Sequence, residues 1–369
     1  MKRNPLALLL ALVAGLLLSG CGKECETGPA ATAAAAPQQT YHWKLVTTWP
    51  KNFPGLGAAP ENFAKAVNEM SNGRLQIKVY GANELVPAMG VFDAVAGGAA
   101  EMGHGAAYYW KGKIPAAQFM TAVPFGMNAQ EMNGWLHYGG GLDLWRKLYA
   151  KYNLVPFAGG STGVQMAGWF KQEITSVADL QGLKMRIPGL AGEVFQRIGG
   201  VPVTLPGGDI FTAMQTGSID ATEWVGPYND LTFGLHKVAK FYYYPGWQEP
   251  GAMLEFITNA AAWNSLPPDL QAIVTAAARA VNQDMLDEYT ARNNTALKEL
   301  VEKHGVQLKR LPDDVLAALR TASDQVIQEV IAADADAREI YESFSAFQRD
   351  VEPYTRISEE AFLQTRQVP

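Results

Sequence analysis

The chain has 369 residues, 48% hydrophobic and 18% charged, with a formal net charge of -6. This composition suits two lobes of ordinary size and excludes a largely disordered protein. No basic run or basic helix face is present, which argues against a nucleic-acid partner. The two cysteines, Cys21 and Cys25, precede the globular part, so a disulfide framework is excluded there.

Met1-Lys2-Arg3 is a basic start, residues 5–18 are an apolar run too short for a typical membrane span, and Leu18-Ser19-Gly20-Cys21 closes it. The arrangement resembles a bacterial lipoprotein signal with Cys21 as the lipidated residue. Residues 22–40, rich in Ala, Gly and Pro, read as a flexible tether. A strand is expected at 41–48, a helix at 60–70 ended by Asn72-Gly73, and an alternating strand at 75–80, which is βαβ order. The run Phe92 to Glu101 then matches Phe211 to Asp220 position by position: Phe, Ala, an aliphatic residue, Gly, acid. Tyr108, Tyr109 and Trp110 follow the first copy, Trp224 and Tyr228 the second. Two similar α/β lobes facing one cleft would explain the repeat; two ordinary amphipathic helices, each stopped by Gly, would also produce it.

A helix at about 129–152 should bend or split at Gly139-Gly140-Gly141. Residues 154–170 read as the first crossing between lobes, flexible at Gly159 to Gly163, with Gln165 on its second strand-like run. A strand ends in Arg186, a helix spans about 191–198, and another strand covers 201–204. Asp209 is expected to cap the next helix and Gly217 to end it in the left-handed conformation. A short strand with Ile219 and Ala221 follows, putting Glu223, Trp224 and Asn229 near its carboxyl end, where parallel α/β sheets bind ligands. Residues 252–259 read as the return across the hinge, 268–303 as one long helix, and the chain is helical again from Asp313. The expected architecture is α/β and two-lobed: 41–163 with about 257–285 in lobe I, 164–256 in lobe II, and 286–369 as the end of the long helix and C-terminal helices that pack on the lobes or on a second chain.

Gly159-Gly160-Ser161-Thr162-Gly163 fits the G-x-S-x-G nucleophile elbow, with His236 and His304 downstream. An elbow needs a helix after its serine, whereas residues 164–170 alternate like a strand, so the competing reading is a Gly-rich hinge. The five histidines show no metal-ligand spacing, and no Walker loop or dinucleotide fingerprint is present. Such a chain binds something rather than transforming it. Arg186 is either a surface residue or, facing a cleft, a two-point carboxylate clamp. Tyr108, Tyr109, Trp224 and Tyr228 are either ordinary core or the walls around it.

At Gln165, Lys184-Met185-Arg186, Gly217 to Trp224 and Tyr242-Tyr243-Tyr244-Pro245-Gly246-Trp247 the sequence resembles the solute-binding receptors of TRAP transporters, particularly the branch that binds 2-oxo acids or lactate-type monocarboxylates. The resemblance implies two α/β lobes, a long helix spanning both, closure on an organic acid, and delivery to a permease driven by a sodium gradient. It carries the carboxylate-binding arginine onto Arg186 and the cation ligands onto Gln165, Glu223 and the Trp224 carbonyl. Of the pair Gln248-Glu249, either side chain could enter the site, and Gln248 is assigned. Some relatives dimerise through their C-terminal helices. Charge balance agrees with a cation: Arg186 and a ligand carboxylate cancel, leaving Glu223 to be neutralised by a proton, a lysine or a metal ion. An oxygen-only set suits Na⁺ or Ca²⁺, and no organic cofactor is implied.

Overall fold

The structure is a computed structural model that describes residues 39–366. Cys21, the rest of the signal and nearly all of the expected tether lie outside the described residues. Two sheets organise what is described. The strands are β1 (Tyr41–Thr47), β2 (Leu75–Tyr80), β3 (Met102–Gly105), β4 (Leu154–Ser161), β5 (Gly168–Phe170), β6 (Lys184–Arg186), β7 (Val201–Val203), β8 (Ala221–Thr222), β9 (Phe241–Tyr244), β10 (Met253–Asn259) and β11 (Gln307–Arg310). The first sheet runs β2-β1-β3-β10-β4 and the second β11-β9-β5-β8-β6-β7.

The sheets are built on one plan. In the first, β1 pairs in parallel with β2 and β3, β10 runs antiparallel to β3, and β4 antiparallel to β10. In the second, β6 pairs in parallel with β7 and β8, β5 runs antiparallel to β8, and β9 antiparallel to β5. The repeated sequence pattern is the same piece of each plan, the helix and turn that lead into β3 and into β8. Its acids do equivalent work. Glu101 Oε2 accepts the Lys44 N–H of β1 at 2.7 Å, and Asp220 Oδ2 accepts the Lys184 N–H of β6 at 3.1 Å.

Several local expectations are met and three are corrected. The glycines split the helix into Ala129–Tyr138 and Gly141–Ala150, with Gly140 at φ +85. Gly217, at φ +77, ends the helix Gly207–Thr216 as expected. Asp209 does not cap that helix, because Pro206 and Gly207 start it earlier and leave Asp209 within its first turn. Residues 159–161 are not a loose hinge but the end of β4, paired with β10. The return crossing comes earlier than residues 252–259: β10 belongs wholly to the first sheet, so the chain passes between sheets after β4, again after β9, and once more between β10 and β11.

The long helix, Pro268–Glu302, buries Leu270, Val274, Ala277, Val281, Met285 and Tyr289 at helical spacing. It packs against β4 and the helix Ala58–Met70 of the first half and against the helix Pro227–Phe233 of the second, so it braces both halves. The helices Asp313–Ala333 and Ala335–Thr355 divide the work: the former packs on the helix Gly189–Arg197, the latter on Gly141–Ala150. Among the described residues no helix is long and apolar enough to cross a membrane.

Candidate ligand and cation site

Arg186 ends β6 and Glu223 follows β8, and the parallel register puts Arg186 beside Thr222. Both side chains therefore stand at the carboxyl ends of neighbouring parallel strands. Arg186 Nη1 donates to Glu223 Oε1 and, at 3.2 Å, to the Glu223 carbonyl. Its Nε donates to the Leu205 carbonyl and its Nη2 to the Tyr109 hydroxyl, each at 3.2 Å. The guanidinium carbon lies 5.1 Å from the centre of the Trp224 ring. Trp49, Phe53 and Phe233 wall that indole at 6.0, 6.4 and 5.1 Å between ring centres. Glycine is required behind it, since a Cβ on Gly207 would fall 2.5 Å from the Trp224 ring.

The first sheet contributes the turn Ala107–Trp110 at the carboxyl end of β3, which carries Tyr108 and Tyr109. The crossings contribute the remainder. Gln165 follows β4, Gln248 and Glu249 follow β9, and the two segments are tied by the Gln165 N–H donating to the Glu249 carbonyl at 3.1 Å. Gly246 permits this approach, because a Cβ there would stand 2.0 Å from the Gln165 carbonyl oxygen. Gln165 Nε2 donates to Glu249 Oε2 at 2.8 Å and to Thr162 Oγ1 at 3.2 Å.

One guanidinium thus faces two buried carboxylates. Burial works against the Arg186 charge, but Glu223, Tyr109, Tyr108 and Glu249 more than offset it and push its pKa up. Burial raises the Glu223 carboxyl to about 7 even with Arg186 pulling it down. Burial and the neighbouring Glu223 push Glu249 well above the usual carboxylate range, despite Arg186, Tyr108 and Gln165. Buried polar atoms are normally paired. Here Glu223 Oε2, Gln165 Oε1, Gln248 Oε1 and the Trp224 indole N–H are buried and have no hydrogen-bond partner. Oxygen acceptors with excess negative charge beside them are what a hard cation needs, so these residues fit Na⁺ or Ca²⁺.

The sequence-assigned residues fare unequally. Arg186, Glu223, Trp224, Gln165, Tyr108 and Tyr109 converge. Asn229 is buried but engaged: its Nδ2 donates to the Pro54 carbonyl and its Oδ1 accepts from the Tyr289 hydroxyl, so it ties the second half to the loop before Ala58–Met70 and to the long helix. Gln248 donates to the Met166 carbonyl at 2.8 Å, and it is Glu249 that reaches Gln165. Glu249, left open beside Gln248 in the sequence, is the member of the pair that the structure brings to Gln165, two residues beyond the Tyr-Tyr-Tyr-Pro-Gly-Trp run. Thr162 and Trp49 were missed, and their types carry no signal of their own. Ser161 is not a nucleophile elbow: it ends a strand, is fully buried, accepts from the Gly163 N–H at 3.3 Å, and among the described residues no histidine hydrogen-bonds it.

Two halves on one plan, tied by the crossings and contributing a guanidinium, carboxylates and aromatic walls to one site, are the architecture of a two-lobed solute-binding protein. Residues 45–334 match the DctP family, bacterial extracellular solute-binding protein, family 7, and the chain belongs to that family. It is 45% identical over 334 residues to a monocarboxylate 2-oxoacid-binding periplasmic protein of Nostoc sp., covering 90% of this chain and 91% of that one. It resembles a TRAP periplasmic solute binding protein of Pseudoalteromonas atlantica with bound sodium and pyruvate, at TM-score 0.86 and 45% identity over 88% of this chain and 99% of that chain. It also resembles one from Bordetella bronchiseptica, a mixed occupancy dimer with calcium and picolinate, at TM-score 0.87 and 40% identity over 89% and 97%. The serine hydrolase reading of Ser161 has no support from these relatives.

Proposed function

We propose that this protein is the extracytoplasmic receptor of a TRAP-type transporter, binding a small 2-oxo or 2-hydroxy monocarboxylate such as pyruvate or lactate together with Na⁺ or Ca²⁺, and delivering it to the permease subunits. One observation carries this reading: two buried oxygen acceptors without partners, Glu223 Oε2 and Gln165 Oε1, lie in a cluster whose cation is Arg186. Arg186 would release Glu223 to hold the acid's carboxylate, while Glu223, Gln165 and the Trp224 carbonyl hold the ion. The acid's carboxylate and adjacent oxygen would complete its shell. Tyr109, which already accepts from Arg186, and Tyr108 close the site from the first half. The sodium–pyruvate and calcium–picolinate relatives support the cation-bridged mode, because both ligands place a donor atom beside a carboxylate.

A thermal-shift comparison tests the reading. Pyruvate at about 100 times its Kd, with the cation present, should stabilise the fold by roughly 2.7 kcal/mol, and the fatty acid of the same length should do far less. Failure of every 2-oxo and 2-hydroxy acid to stabilise would refute it.

The segments between β4 and β5 and between β9 and β10 are the proposed hinge. Lipid attachment at Cys21, with residues 22–40 as tether, is proposed from the lipobox-like Leu18-Ser19-Gly20-Cys21, and mass spectrometry of the N-terminal peptide decides it. A homodimer through the C-terminal helices is proposed because Tyr354, Ile357, Phe362 and Leu363 are 72%, 76%, 60% and 54% exposed on one short segment. Light scattering on Ile357→Asp/Phe362→Asp should then show a monomer where the wild type shows a dimer.

A further inference from the structure

A cation ligand must present a lone pair, and a glutamine amide offers a lone pair at one end and two protons at the other. Gln165 has both protons committed: Nε2 donates to Glu249 Oε2 and to Thr162 Oγ1. The hydroxyl proton of Thr162 is in turn spent on the Gly163 carbonyl at 3.1 Å, so Thr162 can only accept from the amide. Turning the amide over would set its oxygen against the Thr162 lone pairs and the Glu249 carboxylate and aim two protons into the site. The orientation left is the one in which Gln165 Oε1 is buried and free of partners.

We propose that Thr162 and Glu249 are positioning residues for the cation: by accepting both amide protons of Gln165 they lock its oxygen toward the ion. This rests on the reading above that Gln165 and Glu223 hold a cation. Both residues sit beside the paired crossings, where the Gln165–Glu249 backbone bond and the bare Gly246 fix the distance between the segments. The side-chain lock is therefore anchored to main chain at both ends.

The test is Ca²⁺ titration calorimetry on the full chain, with Tb³⁺ as a luminescent stand-in sensitised by the tryptophans. Partners that orient a metal ligand typically contribute 10- to 100-fold to metal affinity. Thr162→Val and Glu249→Leu, which remove the acceptors, should each weaken Ca²⁺ binding by about that factor, while Thr162→Ser, which keeps the acceptor, stays close to wild type. The Tb³⁺ decay lifetimes in H₂O and D₂O should show an added coordinated water in Thr162→Val, in place of the lost amide oxygen. In a Gln165→Ala background neither substitution should have a further effect. Undiminished affinity in both Thr162→Val and Glu249→Leu overturns the proposal. So does a Glu249→Leu loss that persists in full without Gln165, which would make Glu249 a ligand of the ion itself. Wild-type protein that binds neither Ca²⁺ nor Na⁺, or a Glu223→Gln variant that binds them as wild type does, overturns the underlying reading as well.

Discussion

The two halves share a scaffold and divide the chemistry. At the carboxyl end of β3 the first half sets Tyr108 and Tyr109; at the equivalent end of β8 the second sets Glu223 and Trp224, with Arg186 on the adjacent strand. The scaffold acids, Glu101 and Asp220, are equivalent, yet the residues that follow differ in kind: hydroxyls and rings on one side, charges on the other. The proposed roles of anchoring and covering a ligand thus fall to different halves, and the same helix-turn-strand unit carries each. Each half also buries one carboxyl outside the charged cluster. Asp230 accepts from Trp169 Nε1 at 2.9 Å and the Tyr242 hydroxyl at 2.7 Å, and Glu255 accepts from Trp110 Nε1 at 2.5 Å. Such acids hold aromatic frames, although Glu255, like Glu223, keeps one buried oxygen without a partner. The site acids are marked instead by the Arg186 guanidinium that they share.

The largest effect should come from the charged half. Arg186→Lys replaces a two-pronged fork with a point charge and should weaken the acid by about 2 to 5 kcal/mol in titration calorimetry. Tyr109→Phe on the covering half should lose only about 1 kcal/mol, the net value of a typical hydrogen bond. Equal losses would end the division between anchor and cover.

Next come the scaffold acids. Glu101→Ala should cost about 1–3 kcal/mol of unfolding free energy by leaving the Lys44 N–H unpaired, and Asp220→Ala less, because its bond is longer and more exposed. Urea unfolding measures both, and acid binding should stay unchanged in each. A binding loss in either would show that the repeat is more than scaffold.

The smallest effect is a slope. Burial pushes the Glu255 carboxyl from its ordinary 4.5 up to about 7, against Trp110 and Tyr149. The folded chain therefore holds this proton more tightly than the unfolded one, so its contribution to stability is complete below about pH 4 and is lost as pH rises through about 7. Glu255→Gln, which keeps a neutral side chain in place, should make stability fall less steeply over that range in urea unfolding at stepped pH. An unchanged slope would assign the pH dependence to Asp230, whose carboxyl burial raises to about 6, and to the site acids.

Much of this was legible in the chain. The repeated Phe-Ala-Gly-acid pattern could be read because each copy meets the same demand, a helix stop followed by an acid that binds a neighbouring strand's N–H. Arg186 and Glu223 could be read because strand ends next to Gly and Pro punctuation are where parallel sheets open. The return crossing could not, since the apolar run 252–259 shows a buried strand without showing which sheet receives it. Asn229 was misleading because a buried amide satisfied by Pro54 and Tyr289 looks, in sequence, like one waiting for a ligand. The choice between Gln248 and Glu249 stayed open in the sequence because only the pairing of the crossings shows which one meets Gln165.

The central claim is that the cation and the acid are bound as one unit through Glu223. It is tested most directly by titrating pyruvate into exhaustively dialysed, chelator-treated protein in sodium-free buffer, then repeating with Na⁺ or Ca²⁺ restored, for wild type and Glu223→Gln. The account predicts weak binding without the ion, tight binding with it, and loss of that dependence in Glu223→Gln. Undiminished pyruvate affinity in the ion-free wild type would contradict it.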